Sequence, residues 1–292
     1  MNNAISRVLV TGATGKVGSA LVSRLRNEAG INAIAGVRSP QKASYLDVPL
    51  VHLDFDRIET LRPAMQDIDI IFMMTGYKVD MFRQSKAFLN IAKVAGVKHI
   101  VHLGACGDND TMVAHWGWQQ FVERYIEWSG FSFTHLRPDI YMQNLLGYGG
   151  TRAVDDGVIQ HYVGDARISW VDCDDVAEVA RNCIVNWSEH AGATYRLASD
   201  VKTFSEVAAE LSTVLGKPFT YEPRAATEFL EKAVAAGADG AYMHSAYENY
   251  AAYTAGREPE PGAPFSVMQR ILQRPGTTWA EFAQRHRENF DY

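Results

Sequence analysis

The sequence lacks any concentration of positive charge. Of its 292 residues, 28 are Lys or Arg and 34 are Asp or Glu, so the formal net charge is -6. Proteins that bind nucleic acids usually gather Lys and Arg on one face, because the phosphate backbone is anionic. No basic block of that kind occurs, so we expect no direct nucleic-acid partner.

Metal-binding and disulfide motifs are also absent. The three cysteines, Cys106, Cys173 and Cys183, show no C-x-x-C spacing, and neither H-E-x-x-H nor G-x-S-x-G occurs. His99 and His102 lie three apart on a predicted strand and therefore point to opposite faces, which argues against joint ligation of a metal. We expect no metal site and three reduced thiols.

Long apolar runs are missing as well. No stretch of about 18 or more apolar residues occurs. The start MNNAISRVLVTGATG enters a strand pattern without the basic and apolar segments of a secretory leader. We therefore expect a cytoplasmic protein with no membrane-spanning segment.

What the sequence has instead is an alternation of short apolar strands with amphipathic helices. Apolar strand patterns recur along its first half, at 6–10, 31–37, 49–55, 68–76, 97–105 and 131–138. Strands of this kind, separated by helices, imply βαβ crossovers and a parallel sheet covered by helices. The predicted class is α/β, a Rossmann-type doubly wound parallel sheet.

The pattern becomes less regular after about residue 140. Short strands such as RISWV alternate there with helical stretches such as SEVAAELSTVLG. We predict a dinucleotide-binding domain over 1–140, to which a strand and a helix from about 165–185 contribute. A smaller α+β cap that binds substrate is predicted over 141–292.

A glycine-rich turn stands between the first strand and the first helix. The stretch VLVTGATGKVGSALVSRL has the spacing G-x-x-G-x-x-G. Gly12 permits a tight turn, Gly15 lets the backbone approach a pyrophosphate, and Gly18 lets the helix pack close to the strand. The expected cofactor contacts of this turn come from Thr11, Gly12, Thr14, Gly15, Lys16, Val17 and Gly18.

The end of the second strand indicates which dinucleotide binds. An acidic residue there would bind a ribose 2′-hydroxyl, whereas a basic one would accept a 2′-phosphate. AGVRSPQKA supplies Arg38 and Lys42 and no acid, which favours NADP(H), although a solvated surface arginine is the alternative. Later strand ends should complete the cofactor pocket, through Asp54, Phe55, Thr75, Gly76 and Tyr77.

These stretches resemble the NmrA-like branch of the atypical short-chain dehydrogenases/reductases. The resemblance rests on TGATGKVGSALVSRL, AGVKHIVHLGA, the pattern H-x3-Q-x3-E and FTHLRPDIYMQN, and it continues through WVDCDDVAEVA to TTWAEFAQRHRENF. It implies a cytoplasmic NADPH-dependent reductase of quinones or triphenylmethane dyes, or a nucleotide-binding sensor without turnover. A small aromatic or quinonoid substrate is implied, and a homodimer is left open.

The resemblance also identifies where the usual catalytic triad would stand. Ordinary short-chain dehydrogenases use Ser, Tyr and Lys, and their places are held here by Gly104, His115 and Gln119. A glycine has no hydroxyl and a glutamine has no charge to depress a neighbouring pKa. The standard alcohol dehydrogenase mechanism is therefore not expected, and Gly104 and Gln119 are expected beside the cofactor.

The helix predicted over 115–128 carries the remaining catalytic candidates. His115 is a proton donor or polar wall, plausible because imidazole titrates near neutrality, or else a helix-end histidine that only forms hydrogen bonds. Gln119 bonds a ribose or substrate oxygen, or only fills the place of the missing lysine. The core-facing stripe is predicted to be Trp118, Phe121, Val122 and Tyr125.

The substrate is expected to meet side chains at the pocket mouth. Trp116 lies off the predicted stripe and could present a flat face to a ring. Tyr141 is a further catalytic and substrate candidate, and Asn144 and Tyr148 follow it. Three functions remain open: direct hydride transfer from NADPH to a flat electrophilic acceptor, a non-catalytic NADP(H) sensor that acts through a protein partner, or a specialised isomerase or reductase of a biosynthetic or degradative pathway.

Overall fold

The computed structural model describes residues 5–147, 154–257 and 266–291. The chain divides into two compact units. Unit 1 comprises Met1–Ala105, Trp118–Arg137 and Cys173–Tyr195. Unit 2 comprises Cys106–Gly117, Pro138–Asp172 and Arg196–Tyr292.

The strands of the described residues are short and follow one another in chain order as β1 Ser6–Val10, β2 Ile31–Val37, β3 Leu50–His52, β4 Ile70–Met74, β5 His99–Leu103, β6 Ser132–Pro138, β7 Ile140–Tyr141, β8 Val154–Asp155, β9 Val158–His161, β10 Ile168–Val171, β11 Ala193–Leu197, β12 Asp200–Lys202 and β13 Thr220–Pro223.

The α-helices of the same residues are α1 Lys16–Leu25, α2 Ile58–Ala64, α3 Met81–Ala95, α4 Ala114–Trp128, α5 Cys173–Val185, α6 Phe204–Leu215, α7 Ala226–Ala235, α8 Gly240–Thr254, α9 Ser266–Leu272 and α10 Trp279–Arg285. No helix in the described ranges is both long and apolar enough to cross a membrane.

Unit 1 is built on a seven-stranded sheet in the order β11-β6-β5-β4-β1-β2-β3. β1 pairs in parallel with both β2 and β4, so the chain crosses over the sheet between β3 and β4. The central strands are apolar on both faces, as in Val8, Leu9 and Val10, which are completely buried. The predicted doubly wound α/β class is confirmed.

Helix α5 belongs to unit 1, where it packs on α1. Two ion pairs join the helices and the turn after α1: Arg24 Nε lies 2.9 Å from Glu178, and Arg181 binds Glu28. The strand that was predicted within 165–185 does not belong to unit 1. β10 lies in unit 2, where it pairs with β7 and β12, so only the helix of that segment joins unit 1.

The predicted core stripe of α4 is confirmed at Val122 and wrong at Phe121, while Trp118 and Tyr125 are half-buried. Phe121 is 68% exposed, whereas Trp116, expected off the stripe, is buried. The buried face of α4 carries polar residues, Gln119 and Glu123, alongside Val122. Hydrophobic periodicity is read from apolar residues alone. Where polar side chains are also buried against a partner, the face inferred from the apolar residues differs from the face that is buried in the structure.

Unit 2 contains two three-stranded sheets, β12-β10-β7 and β13-β9-β8. Its core is aromatic: Trp170 stands edge-on to Trp279 at 5.0 Å and to Phe204 at 5.1 Å. Capping boxes open α6 and α10, in which Thr203 pairs with Glu206 and Thr278 pairs with Glu281. These boxes fix where the two helices begin and so place their apolar faces on the core.

Candidate functional site

The glycine-rich turn of unit 1 has no room for a Cβ at Gly12 or at Gly18. Gly12 adopts a φ of +60°, and a Cβ there would lie 2.2 Å from Met74 Sδ. A Cβ on Gly18 would lie 2.2 Å from the Gly12 carbonyl oxygen. Gly15 immediately precedes α1 and donates its N–H to the same oxygen at 2.9 Å. The turn therefore brings bare backbone to the start of α1.

The N-terminus of α1 is suited to an anion. Its first turn contains no acidic residue, so no carboxylate neutralises the free amide groups there. Thr14 and Lys16 are exposed at this end, while Val17 is buried against the core. Main-chain N–H groups, a hydroxyl and an ammonium thus stand where a diphosphate would be held, which fits the predicted group.

Thr11 fixes the turn to β4. Its hydroxyl accepts a hydrogen bond from the Met74 N–H at 2.9 Å and lies 3.3 Å from the Met74 carbonyl oxygen, to which it donates. The side chain is completely buried. Its hydroxyl is therefore engaged within the protein, and a cofactor contact from Thr11 would have to come from its backbone.

Two basic residues follow the end of β2. Arg38 comes directly after the strand, and Lys42 lies in the short 3-10 turn Pro40–Lys42. Both side chains are exposed to solvent. This location agrees with acceptance of a 2′-phosphate, which remains a prediction for both residues.

The residues after β3 form a small ordered turn. Asp54 Oδ1 accepts the backbone N–H of Asp56 at 3.0 Å, and the Asp54 N–H donates to the Thr60 hydroxyl at 3.0 Å. The Phe55 ring packs against Phe88 with ring centroids 4.9 Å apart. Asp54 and Phe55 are thus held in place while remaining half-buried.

The residues after β4 are connected to α4 by a hydrogen bond. Gln119 Nε2 donates to the Thr75 hydroxyl at 3.0 Å, and Gln119 is 6% exposed. Gly76 and Tyr77 are exposed on the same segment. Gln119 therefore positions Thr75, a partner that the sequence did not predict.

A buried polar cluster underlies Gly104. A Cβ on Gly104 would lie 3.2 Å from His102 Cε1 and 3.4 Å from Glu123 Oε1. Arg137 donates to both carboxylate oxygens of Glu123. Burial lowers the pKa of His102 to about 4 and that of His135 to about 2, so both imidazoles are neutral near pH 7. Gly104 therefore supplies no hydroxyl at the place of the usual serine, and a Cβ there would be in tight contact with the cluster.

Three residues of this cluster place their potential ligand atoms close enough together for a metal site. His102, Glu123 and His135 each offer a ligand atom, and these atoms lie within 4.8 Å of one another. Arg137 already satisfies both oxygens of Glu123, and its positive charge opposes a cation. The sequence did not predict this cluster. A signal was present, because Glu123 in H-x3-Q-x3-E and Arg137 in LRP are charged residues within elements that are buried.

His115 lies in unit 2, near the start of α4. The Ser245 hydroxyl accepts the His115 backbone N–H at 3.0 Å and lies 2.9 Å from Nδ1. The same hydroxyl is within hydrogen-bond distance of Nδ1, to which it donates or from which it accepts according to the tautomer of the ring. Burial lowers the pKa of His115 to about 4. The expectation that this imidazole titrates near neutrality is therefore wrong.

Unit 2 also contains a cavity of about 340 Å³. We call it the α8 cavity, because Ser245, Glu248, Asn249, Ala252 and Tyr253 of α8 form one wall. Trp116 lines it, and is 7% exposed. Asp139, Arg167, Ser169 and Arg196 contribute polar groups from other elements of unit 2.

The other predicted substrate residues are placed separately from this cavity. Tyr141 lies in β7, opposite Val171 of β10, and is half-buried. Asn144 is half-buried in the 3-10 turn Met142–Leu146. Neither is among the residues that line the α8 cavity. Tyr148 lies outside the described residues.

The sequence as a whole matches one protein family. The model of the NmrA-like family covers residues 4–282. The chain belongs to the NmrA-like family. The resemblance drawn from the sequence motifs is thereby confirmed across both units.

Individual relatives are similar over nearly their full length. An NAD(P)H azoreductase of Xenophilus azovorans is 29% identical over 294 residues, which are 97% of this chain and 99% of the relative. Quinone oxidoreductase 2 of Escherichia coli is 26% identical over 281 residues, 94% of this chain and 96% of the relative. The triphenylmethane reductase of Citrobacter sp., solved in complex with NADP(H), has a TM-score of 0.80 and 25% identity, covering 95% of this chain and 99% of that one.

Proposed function

We propose that this protein is an NADPH-dependent reductase that transfers a hydride to a flat electrophilic acceptor such as a quinone, a dye or a conjugated enone. The observation that carries the proposal is the turn in which Gly12 and Gly18 leave no space for a Cβ at the start of α1. Relatives named for azo-dye and quinone reduction, similar over almost all of the chain, support the same activity.

Each part of the nucleotide has residues of unit 1 suited to it. The diphosphate is held by the free N–H groups of α1, with Thr14 and Lys16 beside them. Arg38 and Lys42 accept the 2′-phosphate, because a guanidinium binds phosphate oxygens in a bidentate manner. Further contacts are proposed for Asp54, Phe55, Gly76, Tyr77, Gly104 and the Thr75–Gln119 pair.

The reaction needs no strong protein acid. When bound, NADPH supplies a hydride, which carries the two electrons of the reduction. A neutral quinone or enone would become a delocalised anion on taking the hydride, and a proton from solvent would complete the product, whereas a cationic dye would become neutral with the hydride alone. Neutral His115 agrees with this route. An imidazole with a pKa of about 4 is not in its imidazolium form near pH 7 and therefore does not act as a general acid. Its Nε2 can still orient a polar group of the acceptor by a hydrogen bond.

The residues of unit 2 are proposed to orient the acceptor. Trp116 offers a flat aromatic face at the wall of the α8 cavity. Tyr141 and Asn144 follow β6 along the chain and offer a phenol and an amide. Orientation of a bound acceptor supplies much of the rate when no covalent or acid catalysis takes part.

The proposal is tested by following NADPH absorbance with a panel of quinones, triphenylmethane dyes, azo dyes and enones. We expect turnover above the spontaneous rate with at least one acceptor class. Gly18→Ala should remove it by removing nucleotide binding, and His115→Gln should retain it. Tight NADPH binding without turnover on any acceptor would contradict the reductase and favour a redox sensor that acts through a protein partner.

A further inference from the structure

One carboxylate of unit 1 connects three parts of the chain. The two oxygens of Asp56 accept hydrogen bonds from Lys78 Nζ at 3.0 and 2.8 Å, and Oδ1 also accepts one from Gln84 Nε2 at 2.6 Å. Asp56 belongs to the turn after β3, Lys78 to the segment after β4, and Gln84 to α3. The hydrogen bonds from Lys78 and Gln84 lower the pKa of Asp56, so its carboxyl is ionised near pH 7.

The position of this carboxylate is fixed from two sides. The Asp56 backbone N–H donates to Asp54 Oδ1 at 3.0 Å, which orders the turn. Gln84 is 3% exposed, and its amide holds the carboxylate from the buried face of α3. Lys78 is half-buried and lies outside the helices and strands. Asp56 is therefore the fixed partner of the ion pair, and Lys78 is the partner that it holds in place.

The segment 75–80 is consequently anchored at both ends. Gln119 Nε2 donates to the Thr75 hydroxyl at its start, and Asp56 binds Lys78 near its end. The two residues between these anchors are exposed. A segment that is already tied at two points loses fewer conformations when a ligand orders it, so it binds that ligand at a lower entropic cost.

The order of the strands places this connection beside the proposed nucleotide site. β1 and β2 lie between β4 and β3 in the sheet, so the pair of Asp56 with Lys78 joins the segments on either side of the β1 and β2 carboxyl ends. The glycine turn follows β1, and Arg38 follows β2. The proposed function places the diphosphate at the turn and the 2′-phosphate at Arg38. The adenosine that carries both groups then lies between the joined segments.

We propose that Asp56 is a positioning residue for the coenzyme, which holds the segment 75–80 against the bound adenosine through its ion pair with Lys78. This role rests on the proposed function, because it requires the coenzyme at the glycine turn. Asp56 acts through Lys78 and does not bind the phosphate groups, which its negative charge repels.

Charge and position predict opposite effects when the carboxylate is removed. Asp56→Ala removes a negative charge, which by itself would strengthen the binding of an anionic nucleotide. The same substitution releases Lys78, so the segment 75–80 must be ordered when the nucleotide binds. If Asp56 positions the segment, the affinity falls in spite of the more favourable charge. A decrease in affinity therefore distinguishes positioning from an electrostatic effect.

The first measurement is a calorimetric titration with adenosine 2′,5′-bisphosphate, which has the base and both phosphate positions and lacks the nicotinamide. We expect Asp56→Ala to weaken its binding about fivefold. The double variant Asp56→Lys with Lys78→Asp restores the pair with its charges exchanged and should recover most of the affinity. Glu59→Gln is the matched control, because it removes the same charge from an exposed pair with Arg57, and it should leave the affinity unchanged.

The second measurement needs no nucleotide. Hydrogen–deuterium exchange of the cofactor-free protein follows the amides of 75–80, which should exchange about threefold faster or more in Asp56→Ala than in the wild type. The amides of β5 should exchange equally in both proteins, because that strand is buried in the sheet. Faster exchange confined to 75–80 would show that Asp56 orders this segment before any ligand binds.

Three results would overturn the proposal. The bisphosphate could bind Asp56→Ala as tightly as the wild type or more tightly, the charge-exchanged double variant could recover no affinity, or the exchange at 75–80 could stay unchanged. If the wild type binds the bisphosphate and Asp56→Ala binds it equally, only the role of Asp56 is contradicted. If the wild type does not bind the bisphosphate at all, the proposed coenzyme site fails as well.

Discussion

Arg137 donates two hydrogen bonds to Glu123, from Nε to Oε1 at 2.9 Å and from Nη2 to Oε2 at 2.5 Å. The Glu123 side chain is completely buried and that of Arg137 is 4% exposed. This pair joins α4 to β6 inside unit 1, next to the places where Gly104 and Gln119 stand for two residues of the usual triad.

Removal of one partner of this pair should be costly. Glu123→Gln leaves a buried guanidinium without its counter-charge, and we expect a loss of about 3–5 kcal/mol in the free energy of unfolding. Urea denaturation measures it. The double variant Glu123→Gln with Arg137→Met should recover part of that loss, because no unpaired charge remains. Glu59→Gln, which breaks an exposed pair with Arg57, should leave the midpoint unchanged.

A methyl group on Gly18 should disrupt the nucleotide turn. The new Cβ would meet the Gly12 carbonyl oxygen at 2.2 Å, so backbone must shift where the diphosphate is proposed to bind. We expect Gly18→Ala to cost about 1–3 kcal/mol in stability and to abolish NADPH binding by calorimetry. Gly240→Ala is the control, since its Cβ would meet nothing within 4 Å. Equal NADPH affinity in both variants would contradict the assignment.

Charge reversal after β2 should change coenzyme preference. Arg38→Glu removes a charge-assisted contact to the 2′-phosphate, so NADPH affinity should fall about 10- to 100-fold while NADH affinity stays nearly constant. Titration with both coenzymes gives the ratio. Lys86→Ala, at an exposed lysine of α3, should affect neither. An unchanged ratio in Arg38→Glu would identify Arg38 as a solvated surface residue.

Buried neutral histidines should make the protein sensitive to acid. Burial lowers the pKa of His102 and His115 to about 4, that of His161 to about 3 and that of His135 to about 2. The unfolded chain binds protons from about pH 6.5 downward while the folded chain does not, so stability falls as the pH drops from 6.5 towards 4. The slope is about 1.4 kcal/mol per pH unit for each histidine at most.

Urea unfolding between about pH 7.5 and about pH 5, a range that spans the unperturbed histidine pKa, measures this slope. His161→Gln should make it shallower, because one buried imidazole is removed from the core beside Phe204. His244→Gln should not, since that histidine is exposed on α8. A slope that His161→Gln leaves unchanged would show that other groups cause the acid sensitivity.

The sequence predicted the first unit well because local signals and the tertiary structure agree there. Apolar strands such as β1 and β5 are buried on both faces, and the glycines of the turn are required by contacts within the turn and with β4. The chain order of these elements therefore almost determines the sheet, since parallel strands need helical crossovers.

The candidate site was harder to predict from the sequence, because its polar residues form hydrogen bonds with partners on other elements. Gln119 with Thr75, Glu123 with Arg137 and His115 with Ser245 are separated by 44, 14 and 130 residues. Sequence spacing does not predict such pairs. The burial of Gln119 and Glu123 is also the reason that the buried face of α4 was not predicted correctly. The neutral state of His115 likewise depends on burial that only the structure reveals.

If Arg38 and Lys42 bind the 2′-phosphate as proposed, their exposure separates coenzyme choice from folding. A Cβ at Gly12 or Gly18 would overlap neighbouring atoms, whereas the Arg38 and Lys42 side chains are exposed to solvent on a short connection. We therefore expect that coenzyme specificity can be redesigned at these two positions without altering the strand–turn–helix that is proposed to hold the diphosphate.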